Sequence, residues 1–147
     1  PGQQLYRIIP RTMLYARLGK KMKLHGGGLS IRSFIHMHDA ASATLQIALK
    51  GIPGESYHIS TNDTISIKEL VENICEITNV SFYDLVEISE DRLGKDQAYL
   101  LNSEKVRTNL LWTDKIKLKE GLLETLFWVD QNIEVLKNLP SDYLHKK

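Results

Sequence analysis

The sequence predicts a mixed α and β domain, and three observations carry that reading. Short extended runs alternate with stretches whose apolar residues recur at helical spacing. One such stretch, 118–136, is long and amphipathic, with Leu122, Leu126, Val129 and Ile133 on one stripe. The extended runs are few and short, too few for a free-standing doubly wound sheet.

The elements follow in order. Ile8, Ile9, Met13, Leu14 and Leu18 fit a helix over 8–18, with Pro10 tolerable in its first turn and Gly19 as a stop. Residues 21–25 and 33–37 read as short strands flanking a glycine turn at 26–28. Asp39 sits where an N-cap or first-turn acid belongs, before a helix over 40–49 that Gly51, Pro53 and Gly54 end. Tyr57 and Ile59 alternate with Ser56 and His58, which predicts a strand over 55–60. Ser66 and Glu69 have the spacing of a capping box opening a helix to about Thr78. Residues 85–88 form a strand, 98–101 an extended piece, and Ser103 caps a short helix to Leu111. The tail, 140–147, is polar and expected to fray.

Composition bounds the function. The 147 residues carry a net charge of +1, which lacks the basic excess of a dedicated nucleic-acid binder. No apolar run reaches the length of a membrane span and no signal peptide is visible, so a cytoplasmic location is expected. The lone Cys75 rules out an internal disulfide and falls in an apolar helical pattern, where a buried inert thiol is expected. The chain opens at Pro1-Gly2 without an initiator methionine, so it is expected to be part of a longer polypeptide.

The most informative stretch runs from Gly26 to Asp39. Glycines permit positive φ and leave space beside the main chain. Arg32 offers a planar fork suited to phosphate. The arrangement reads either as an anion clamp or as a surface turn with one solvated charge. A phosphate-cradling loop of the Gly-Lys-Ser/Thr type is not supported, because that sequence does not follow. His36 and His38, two apart, suggest a metal site, but no ligands complete a tetrahedral set and none is assigned. Asp39 as a catalytic base yields to Asp39 as a helix cap.

A resemblance then emerges from motifs in a fixed order. They are Pro1-Gly2-Gln3, Arg7-Ile8-Ile9-Pro10, Gly26 to Asp39, Gly54 to Ile59, Asp91 to Asp96, and Leu111-Trp112. Together they resemble the C-terminal third of the extended short-chain dehydrogenases/reductases that act on nucleotide sugars, most closely the dTDP-glucose 4,6-dehydratase branch. The resemblance implies that 1–139 is the nucleotide-sugar (substrate) binding domain of a Rossmann-type enzyme whose N-terminal domain binds NAD. That absent domain would also carry the Tyr-x-x-x-Lys catalytic pair. Tyr143 and Lys147 match the pair literally, but in a polar tail, and the match is read as chance. No catalytic, cofactor-binding or metal residue is therefore assigned, and this chain alone is expected to be inactive.

The resemblance further implies that Arg7 and Ile8 contact the sugar nucleotide, with Arg7 in place of the family's Lys. His25 stands where relatives place an aromatic ring near the nucleobase, Arg32 and Arg92 would grip the diphosphate, and Asn62 would add a polar contact. Ser33, His58 and Lys95 depart from the family's Asp, Asn and His. In the parent, hydride would pass from the sugar C4 to nicotinamide, and a homodimer is expected. Alternatives are the corresponding part of a UDP-sugar 4-epimerase or decarboxylase, or a stand-alone binding module docking through the 118–136 stripe. An upstream dinucleotide fingerprint in the same reading frame would distinguish enzyme from module.

Overall fold

The computed structural model describes residues 1–91, 94 and 96–141. Helix α1 (Ile8–Leu18) ends on Gly19, whose φ of 61° is the left-handed closure that glycine tolerates. Strand β1 (Met22–His25) leads through a 3-10 turn (Gly26–Gly28) to β2 (Ile31–Arg32) and helix α2 (Met37–Lys50). Next come β3 (Ile65–Ser66), α3 (Ile67–Thr78), a single turn α4 (Phe82–Leu85), β4 (Val86–Ser89) and β5 (Ala98–Tyr99). Helices α5 (Glu104–Leu110) and α6 (Leu118–Leu136) close the described chain.

β1 pairs in parallel with β4, Met22 opposite Val86 and His25 opposite Ser89. β2 lies between β3, antiparallel, and β5, parallel. Helices α1, α3 and α6 pack around Met13, Leu14, Leu70, Ile74, Leu126 and Val129. A second cluster joins α1 and α3 to the β1–β4 pair through Met22, Leu24, Val71 and Leu85. The third sits under α2 and α5, where Trp112, 2% exposed, packs on Ala43 and Val106. The mixed α/β class read from the sequence is the observed one, and no described helix is long and apolar enough to cross a membrane.

Several local expectations give way. Residues 33–37 are not a strand: pairing stops at Arg32, and His36 already caps α2. Residues 55–60 form no strand either. Tyr57 and Ile59 do pack on the Ala43–Trp112 cluster, but among the described residues no strand pairs with them. Asp39 is the first-turn acid of α2, one of its two expected places, and His36 is the N-cap, its Nδ1 accepting the His38 amide at 3.3 Å. The capping box at Ser66 and Glu69 forms as predicted. Ser103 occupies the N-cap of α5 without capping it; the Asn102 side chain accepts the Glu104 amide instead. Of the polar tail, Ser141 is described, within 3.0 Å of the Tyr15 hydroxyl; Tyr143 and Lys147 lie outside the described residues.

Candidate functional site

A cleft of about 1600 Å³ opens between the N-terminus of α1, the β1–β2 connection and α6. Its cations include Arg7, Arg11, Lys23, Arg32 and Lys117, and Glu124 is the one carboxylate among its described lining residues. Such a field favours an anionic ligand. The N-terminus of α1, with its positive dipole end and no side-chain cap, adds to it.

Four of the sequence-predicted residues are brought there by three different elements. Arg7 is the N-terminal boundary residue of α1 and lies 5.4 Å from the Tyr6 ring centroid. Ile8 begins the helix and contributes apolar wall while packing on both neighbouring clusters. His25 ends β1, its Nδ1 2.9 Å from Ser89 Oγ on the paired strand. Arg32 ends β2, and its fork is held by two carbonyls: Nη1 donates to Ile31 at 2.7 Å and Nη2 to Asp96 at 3.0 Å. Carbonyls orient the guanidinium without cancelling its charge, so it remains suited to an anion.

Asn62 stands apart from the other four. It is exposed and lines neither this cleft nor the adjoining pocket of about 320 Å³, which its neighbours Thr61 and Asp63 line. In the same loop the Asp63 amide donates to Thr61 Oγ1 at 3.2 Å. Arg92 and Lys95 lie outside the described residues. The glycine turn is partly filled by the protein itself. A Cβ at Gly26 would collide with the Asp91 carboxylate, and one at Gly28 would stand 2.8 Å from the Lys68 amide. Gly26 and Gly28 thus make room for the protein's own side chains and backbone, while Gly27 faces open space.

The same crowding tests the cofactor. Of the three glycines at this turn only Gly27 opens to space, so the turn offers no run of open glycines of the kind that cradles a pyrophosphate. Metal binding by the two histidines fares no better: His36 Nδ1 is engaged by a backbone amide, and the two rings stack 5.5 Å apart at 3°. No group of three or more metal-ligating side chains occurs among the described residues. Burial, with a smaller push from Glu72, raises the Cys75 thiol above its ordinary value, as an unreactive cysteine requires.

Sequence reasoning missed Arg11, one turn beyond Arg7 on the same helix face and also on the cleft. The i, i+4 spacing was the available signal. Asp39 was weighed only locally. Its carboxylate, on a residue 3% exposed, accepts the amides of Lys115 and Ile116 at 3.0 and 2.9 Å and fixes the chain entering α6.

Fold and basic cleft together point to the Rossmann-type sugar-nucleotide dehydratases and their relatives. The dTDP-glucose 4,6-dehydratase of Bacillus anthracis, solved in complex with NAD, superposes with a TM-score of 0.88 at 34% identity over 95% of this chain and 44% of that one. A Streptomyces venezuelae dTDP-glucose 4,6-dehydratase with NAD and TYD bound gives 0.85 at 25% identity, over 90% and 41%. Human dTDP-D-glucose 4,6-dehydratase is 34% identical over 144 residues, 95% of this chain but 41% of the relative's length. The chain belongs to the GDP-mannose 4,6 dehydratase family, whose profile matches residues 2–125.

Proposed function

We propose that this chain is the nucleotide-sugar-binding portion of an NAD-dependent nucleotide-sugar 4,6-dehydratase. Residues 1–139 form its substrate-binding domain. The observation that carries the reading is the convergence of Arg7, His25 and Arg32 on one cation-rich cleft from three separate elements. A diphosphate carries negative charge that two guanidinium groups match with charge-assisted hydrogen bonds. Arg7 and Arg32 take that role, with Arg92 added on the strength of the family resemblance. His25 flanks the base and Ile8 gives an apolar wall.

The dinucleotide belongs to the remainder of a longer parent, a reading supported by relatives more than twice as long. The chain by itself is accordingly inactive, and the parent acts as a cytoplasmic homodimer. Calorimetric titration with dTDP, UDP, GDP and CDP tests the reading. Saturable heat with at least one of them, lost in Arg32→Ala, is expected. Absence of heat with all four at millimolar concentration overturns it.

A further inference from the structure

The nucleotide-binding reading leaves Lys23 without a task. Strand β1 buries Met22 and Leu24 in the second core cluster and turns Lys23 and His25 to its other face. Both line the cleft. Two residues apart on an extended strand, they stand about 7 Å from each other along one face. Lys23 is exposed, and its ammonium makes no ion pair or hydrogen bond among the described residues, not even with Glu87, its register partner on β4. His25 is tethered: Nδ1 lies 2.9 Å from Ser89 Oγ on the residue paired with it, which fixes where the ring stands.

Chain order gives a base beside His25 a direction. β1 runs from Lys23 to His25 and on through the 3-10 turn to Arg32 on β2. β1 and β2 belong to different sheets, so the turn does not fold β2 back along β1 as a hairpin. Arg32 thus follows the His25 end of β1 rather than lying alongside Lys23. A nucleobase is joined to its ribose and diphosphate through N1 of a pyrimidine or N9 of a purine. Its far edge carries the substituent at C4 or C6. With the phosphates toward Arg32 and the ring on His25, that edge points back along β1, within the span of the flexible four-carbon stem of Lys23.

We infer that Lys23 is a specificity-determining residue that reads the far edge of the nucleobase and selects a carbonyl there; the inference rests on the function proposed above. An ammonium has three donors and no acceptor. It meets the C4 carbonyl of uracil or thymine, or the C6 carbonyl of guanine, with a charge-assisted hydrogen bond. Cytosine and adenine place an amino group at that position, whose hydrogens Lys23 cannot accept.

Uridine and cytidine diphosphates differ only at this edge, and calorimetric titration reads the ratio of their affinities. Wild type is expected to bind UDP about tenfold tighter than CDP, the lower value for one hydrogen bond to a charged group. Lys23→Met, at an exposed position, brings the ratio close to one. Lys23→Arg, which keeps charged donors, retains it, and a circular-dichroism melt checks each fold. Equal wild-type affinity for UDP and CDP, or a preference for CDP, overturns the inference and leaves the nucleotide reading standing. So does an unchanged ratio in folded Lys23→Met, the result expected if Lys23 only adds charge to the cleft. So too does binding of dTDP or GDP with neither UDP nor CDP bound. A wild type that binds none of the four overturns both.

Discussion

Arg107 and Asp114 form an ion pair 2.6 Å long that is largely shielded from solvent, with side-chain exposures of 18% and 13%. The same guanidinium donates to the Ser60 carbonyl and to Ser103 Oγ and lies over the Trp112 ring. One cation thus ties α5 to the 60–61 loop and to the segment entering α6. Removing one partner strands the other charge in a low-dielectric setting.

Asp114→Asn should therefore lower the unfolding free energy by about 2–4 kcal/mol, measured by urea denaturation. Burial alone would raise the Asp114 carboxyl, but hydrogen bonds from Arg107 and Thr61 outweigh it and hold the group below the ordinary aspartate value. A depressed folded-state value stabilises above the unfolded value of about 3.9. That contribution disappears as pH falls through the depressed value. The wild-type protein should lose stability over this acid range more steeply than Asp114→Asn.

Asp39→Ala should cost about 3 kcal/mol, since two amides at 115 and 116 lose a charged acceptor in a buried setting. The measurement is thermal melting. A substitution that left the melting temperature unchanged would show that Asp39 does not tie α2 to the segment entering α6.

Leu111 adopts φ 53° at the C-terminus of α5 with its side chain 87% exposed. A left-handed conformation costs a non-glycine residue about 1–2 kcal/mol. Glycine would relieve that cost while giving back about 0.5–1 kcal/mol in chain entropy. Leu111→Gly should accordingly stabilise the protein by up to about 1 kcal/mol, seen as a raised melting temperature.

Arg32→Ala should weaken nucleoside diphosphate binding by about tenfold to a hundredfold, read by calorimetry. Stability should hardly move, because the guanidinium's hydrogen-bond partners are two carbonyls at solvent-exposed residues. A matching loss of stability would instead make Arg32 a structural tie between β2 and the 96–97 segment.

The sequence by itself determined whatever depends on neighbours along the chain. The stops at Gly19 and Gly51, the capping box at Ser66 and Glu69, and the apolar stripe of α6 all act over one or two helical turns. Ordered motifs likewise sufficed to place the chain in its family. Tertiary structure alone decided where extended segments find partners. Alternation at 55–60 reported a buried face but not a pairing, and Ile65–Ser66 pairs only because β2 passes beside it. It also decided which polar groups meet: Asp39 with the 115–116 amides, Arg107 with Asp114, His36 with Glu124, and Asn62 with none of the cleft. Such pairings join residues far apart in sequence, and local periodicity carries no record of them.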